Sequence, residues 1–77
     1  MTNAANLFKV SYTIIHTEGV SSSTVFSTSV KRAIKQARRE AWLDHNEVMP
    51  SNWADVWLDI RKGNKPVYQD FAPGNLL

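Results

Sequence analysis

From Leu7 to His16 the chain alternates, with Phe8, Val10, Tyr12 and Ile14 on one side and Lys9, Ser11, Thr13 and Ile15 on the other. Period two is the signature of a half-buried strand, and the first set is expected to face the core. His16 to Val20 reads as a turn, with Gly19 free to take a positive φ. Ser21, Ser22 and Ser23 fit either a loop or a polar edge strand. Thr24 to Ser27 reads as a second strand, antiparallel to the first, with Phe26 as its inward anchor. The period then changes. In Ser29–Leu43 the apolar positions Val30, Ala33, Ile34, Ala37 and Ala41 recur at helical spacing, giving a narrow stripe suited to close packing on a sheet. Ser29, or Thr28 before it, is placed to cap that helix.

After Leu43 a polar stretch ending in Pro50-Ser51-Asn52 predicts an irregular connection, with a short helical turn allowed at its start. Trp53 to Arg61 alternates again. Ala54, Val56, Leu58 and Ile60 form an aliphatic side that packs under the helix, and Trp53, Asp55, Trp57, Asp59 and Arg61 form the other. Lys62-Gly63-Asn64-Lys65-Pro66 has strong turn chemistry, and Val67 to Phe71 is a fourth strand. Residues 1–6 are a frayed lead. Residues 72–77 are a tail, either mobile or folded over an apolar patch. The element order is strand–strand–helix–strand–strand. It predicts an α+β fold, a single antiparallel sheet of three to four strands with one helix packed on one face. The chain is expected to form one small domain over residues 1–77, with the second face of its sheet left for water or a partner.

At 77 residues with 43% hydrophobic content the core is modest, so stability is expected to be small unless the chain oligomerises. Cysteine is absent, which excludes a disulfide scaffold and a cysteine-based zinc site and fits a reducing compartment. No apolar run approaches the roughly 20 residues that cross a bilayer. The N-terminus lacks the basic and apolar segments of a signal peptide, so a cytoplasmic location is expected.

The charge is more informative in its placement than in its sum. The net charge is +2, yet Lys31, Arg32, Lys35, Arg38 and Arg39 are five of nine basic residues, and Glu40 alone opposes them within the helix. At about 100° per residue they occupy one sector opposite the alanine stripe, with Trp42 among them. Two of them lie in the first turn, where the helix dipole disfavours cations, so helix stability alone does not select the arrangement. The sector reads either as a solvated face with its Trp packed over the sheet edge, or as a docking face for phosphate or an acidic protein surface.

A second surface candidate is the strand face that brings together Trp53, Asp55, Trp57 and Asp59, with Arg61 at its end. Aromatics there suit a protein partner, whereas the carboxylates oppose stacking of nucleic acid. The competing reading is burial of the tryptophans under the tail or in a homodimer. Catalytic chemistry finds little support. Asp44, His45 and Glu47 are too clustered for a metal site and read as a solvated helix end. His16 reads as a surface or edge histidine. Asp55 and Asp59 have no expected cleft, Ser21–Ser23 lack a base and an oxyanion loop, and no glycine-rich phosphate loop exists. Neither a catalytic residue, a metal nor a cofactor is expected.

The run Ser29-Val30-Lys31-Arg32-Ala33-Ile34-Lys35-Gln36-Ala37, followed by Asp55-Val56-Trp57-Leu58-Asp59-Ile60-Arg61, resembles the small bacteriophage-encoded inhibitors of host bacterial RNA polymerase. In that family a hairpin, a helix of similar spacing and a return strand ending in two arginines make up the fold. Arg61 matches one of those arginines. Asp59 occupies the other position, and the helix is basic where the family's is acidic. A similar element order occurs among anti-CRISPR proteins. The resemblance implies a phage-encoded, non-enzymatic protein that docks on a host nucleic-acid machine and inhibits or redirects it. The residues expected to contact such a host protein complex are Trp53, Trp57, Arg61, Arg38 and Arg39. The alternative is direct nucleic-acid binding through Lys31, Arg32, Lys35, Arg38 and Arg39. A self-assembling homo-oligomer is a third reading, and no membrane partner is expected.

Overall fold

The computed structural model describes residues 7–16, 19–48 and 55–73, without the side chains of Glu47 and Val48. Strands β1 (Phe8–His16) and β2 (Gly19–Ser27) precede one helix, α1 (Val30–Val48), and strands β3 (Asp55–Lys62) and β4 (Lys65–Phe71) follow it. They form one antiparallel sheet in the order β2-β1-β3-β4, so α1 carries the chain across from the first hairpin to the far side of β1. The α+β class and the strand–strand–helix–strand–strand order are those the patterning predicts. No helix among the described residues is long and apolar enough to cross a membrane.

Val10, Tyr12 and Ile14 of β1 and Val56, Leu58 and Ile60 of β3 are buried on one face of the sheet, in one core with Ala33, Ala37 and Ala41 of α1. Phe8, Val30, Ile34, Trp42 and Ala72 close the margins of this core. Ala72 also donates its N–H to the Val56 carbonyl at 2.8 Å, so the tail begins by pairing with β3. The helix lies mainly over β1 and β2, and alanine makes that close approach feasible because a methyl is all that stands between the two backbones.

Register explains the main departure from expectation. Val10 pairs with Val25, Tyr12 with Ser23 and Ile14 with Ser21. Residues directly opposite in an antiparallel pair share a face. Val25 and Ser21 are therefore buried beneath α1, and Phe26 points the other way, 62% exposed. Phe26 is not the inward anchor of β2. The serines are part of a nine-residue strand rather than a loop, because small side chains are what the helix tolerates above β2. Gly19 lies in that strand, and the positive-φ glycine among the described residues is Gly63, at 59°. It makes the two-residue turn Gly63-Asn64 between the paired Lys62 and Lys65. Strands β3 and β4 accordingly extend through Lys62 and start at Lys65.

The helix continues five residues beyond Leu43. The four-residue series Ala33, Ala37, Ala41 extends to His45, which is fully buried, and no proline intervenes before Pro50. Asp44 is exposed as expected of a solvated helix end, but His45 is packed inward. The His45 ring meets Trp42 edge-on with centroids 5.3 Å apart, and His16 at 5.9 Å, so His16 is a packing partner too. Neither His45 nitrogen has a hydrogen-bond partner among the described residues. Trp53 and Ala54, the irregular connection from Met49, and residues 1–6 and 74–77 lie outside the described residues.

Candidate docking surfaces

The N-terminus of α1 is set by two serines. Ser27 Oγ accepts the Ser29 N–H at 3.0 Å, and Ser29 Oγ accepts the Arg32 N–H at 3.3 Å. The Ala33 N–H reaches the Ser29 carbonyl at 3.0 Å, which identifies Ser29 as the N-cap. No acidic residue occupies the first turn. The cap therefore fixes the helix start while leaving Lys31 and Arg32 uncompensated there.

Lys31, Arg32, Lys35, Arg38 and Arg39 are all exposed. By the helical repeat they span roughly 120° of arc on the side turned away from the sheet, with Glu40 and Asp44 on the β2 flank. Among the described residues no carboxylate forms an ion pair with any of the five; the ion pair seen there is Arg61 Nε to Asp59 Oδ1, 3.3 Å. Glu40 is engaged elsewhere. It accepts the Ser23 hydroxyl at 2.5 Å and the Gln36 amide at 3.2 Å, and these bonds hold its carboxyl below the ordinary glutamate pKa, the Ser23 bond most. Glu40 thus ties α1 to β2 and does little to neutralise the cationic side.

Towards its C-terminal half the cationic side becomes a shallow open groove of about 360 Å³, lined by Lys35, Arg38, Arg39, Trp42, Leu43 and Asn46. Trp42 is half-buried, and its indole N–H donates to the Tyr12 hydroxyl at 3.0 Å. Burial raises the Tyr12 pKa above the ordinary tyrosine value, opposed by the indole bond and by the charge and hydrogen bond of Arg38. Arg38 thus lies near the Tyr12 hydroxyl on the β1 side of the helix, and Lys35 and Arg39 are exposed beside it.

The bare face of the sheet is a separate surface. Cross-strand rows run over it: Phe26, Lys9, Arg61 and Pro66 in one, Thr24, Ser11, Asp59 and Gln69 in the next, then Ser22, Thr13, Trp57 and Phe71. Hydroxyl pairs Ser11–Thr24 and Thr13–Ser22, each at 3.1 Å, knit β1 to β2. Asp59 is held by Arg61 and, at 3.3 Å, by the Gln69 amide. Trp57 meets Phe71 edge-on at 5.2 Å, which leaves the indole half-buried and Phe71 exposed. Lys9 and Arg61 balance Asp55 and Asp59, so this face is not the acidic one that β3 alone suggests. Arg38 and Arg39 lie on the helix side of the sheet, Trp57 and Arg61 on the other, so they do not form one contact patch. Lys9, Phe26, Gln69 and Phe71 belong to the bare face too: the period-two pattern of β1 puts Lys9 opposite Tyr12, but only strand order brings these residues beside β3.

Compared with known protein families, curated proteins and solved structures, the chain has no significant match in any of the three.

Proposed function

We propose that this chain is a non-enzymatic binding module that docks the exposed side of α1 on the phosphate backbone of a nucleic acid. The observation that carries this reading is the set of five exposed cations, Lys31, Arg32, Lys35, Arg38 and Arg39, with no carboxylate paired to any of them among the described residues. They fall within nine consecutive residues, about 12 Å of helix. Duplex DNA presents one charge per roughly 1.7 Å of axis, so several phosphates lie within reach of that length. The contacts are to phosphate, and binding is sequence-tolerant.

The test is fluorescence anisotropy with labelled duplex and single-stranded DNA and RNA over a salt series. With up to five phosphates engaged, the slope of log K against log salt is expected to approach about −4.5 on duplex DNA. Lys35→Gln and Arg39→Gln each reduce the slope by about one. Absence of binding at low salt, or binding indifferent to both substitutions, overturns the reading.

A second reading has its own observation. The Trp57–Phe71 pair, with Asp59 and Gln69 in the next row and Lys9 and Arg61 in the row beyond, is an aromatic patch on a charge-balanced face, suited to a protein surface. On this reading the chain is a phage-encoded protein that docks on a host complex such as RNA polymerase. Phe71→Ala and Arg61→Ala then abolish capture of purified polymerase and leave nucleic-acid affinity unchanged.

A further inference from the structure

The two edges of the sheet are built differently. The β4 edge carries Lys65, Pro66 and Asp70, and a register shift opposite Ile60 and Arg61 bends it. Charges, proline and bulges are how sheets discourage strand addition. The β2 edge has none of these. From Gly19 to Ser27 it contains no charged residue and no proline, and all nine residues pair with β1 in unbroken register. Among the described residues it is terminal in the sheet, so none of them supplies a strand partner to its outer backbone groups. Its outward side chains include the two most exposed large apolar residues of the described chain, Val20 at 61% and Phe26 at 62%.

We infer that the β2 edge is a self-association surface whose occupant is the β2 strand of a second copy, joining two sheets into one eight-stranded sheet. An antiparallel two-fold through Ser23, the midpoint of β2, pairs the whole strand with its counterpart. Val20 then lies opposite Phe26 of the other copy, twice over, on the bare face. Ser22 lies opposite Thr24, Ser21 opposite Val25, and Ser23 opposite itself. Slipping by two residues in either direction separates Val20 from Phe26, and a slip of one sets the helices on opposite faces. The self-complementarity is therefore specific to one register, as a two-fold interface requires. Both copies of α1 come to lie on the same face of the joined sheet, antiparallel and side by side, so their cationic sides form one continuous surface. Glu40, bonded to Ser23, brings one carboxylate from each copy towards the axis, and the α1 cations are alike in sign, so added salt strengthens the association.

Sedimentation equilibrium from low micromolar to millimolar concentration, at several salt concentrations, is the first measurement. A monomer–dimer equilibrium that tightens with salt is expected. Phe26→Lys and Val20→Lys each raise the dissociation constant about tenfold or more, with circular dichroism unchanged. Because the chain has no cysteine, the register is tested by oxidising an equimolar mixture of Val20→Cys and Phe26→Cys chains. The mixture forms a covalent dimer that neither variant forms alone. A monomer throughout the range, a dimer insensitive to both lysines, one that weakens as salt rises, or cross-linking as efficient within a single variant as in the mixture would overturn the inference.

Discussion

The indole N–H of Trp42 and the hydroxyl of Tyr12 meet at 3.0 Å across the boundary between α1 and the sheet. Tyr12 is fully buried, so without the indole its hydroxyl would lose a hydrogen-bond donor at the helix–sheet boundary. Trp42→Phe is expected to destabilise the chain by about 1–3 kcal/mol, whereas adding Tyr12→Phe to it costs less than the two single effects combined. Urea denaturation of the double-mutant cycle measures this coupling.

The same hydroxyl shapes the alkaline limb of stability. Burial raises the Tyr12 pKa above the ordinary tyrosine value of 10.0. The folded state therefore holds this proton more tightly than the unfolded chain. Its contribution is complete below the unfolded pKa and is lost as pH rises through the folded one. Tyr12→Phe should flatten the fall in stability above pH 10, and thermal melts in alkaline buffer check it.

Glu40 acts at the other end of the scale. Its pKa is lowered by the bonds from Ser23 and Gln36, so the folded state favours the carboxylate. That contribution is present above the unfolded pKa of about 4.5 and is lost as pH falls through the folded value. Ser23→Ala is expected to return the Glu40 pKa towards 4.5, as read by carboxyl carbon chemical shifts. A Glu40 titration unmoved by Ser23→Ala would contradict the bond.

His45 occupies a buried site in which neither ring nitrogen has a hydrogen-bond partner among the described residues. Replacing an unsatisfied polar group by an apolar one of similar shape removes its desolvation cost. His45→Leu is expected to be neutral or to stabilise by about 1 kcal/mol in urea denaturation. A large loss would mean that the imidazole makes a bond essential to the helix end.

Val25 and Phe26 report which side of β2 faces the helix. Val25→Ala is expected to cost about 1–3 kcal/mol, while Phe26→Ala, measured at low protein concentration, stays within about 0.5 kcal/mol. The reverse order would turn β2 over and with it the register to β1.

Much of this architecture is written in local periodicity. Alternation in Phe8–His16 and in Val56–Ile60, the alanine spacing of α1 and the Gly63-Asn64 turn each depend on residues close in sequence, and each is legible without a structure. The same holds for the cationic side of α1, because a helix converts spacing directly into direction. Phe26 shows where local reading stops. Its size argues for burial, but its side is chosen by Val10 and Val25, fifteen residues apart in sequence and paired only once β1 and β2 are in register. His45 shows the same limit, since a polar residue near a helix end is assigned to solvent until the sheet beneath the helix is in place.

The elements, their order and the charge they carry follow from the backbone's two short periods and from where cations fall along one helix. The rest rests on contacts between segments far apart in the chain. Strand order put Lys9 between Phe26 and Arg61 and Phe71 against Trp57, placed β2 at an open edge, and separated Arg38 and Arg39 from Arg61 by the thickness of the sheet. These are relations between distant segments, fixed by which apolar faces can be buried together, and no window along the chain contains them.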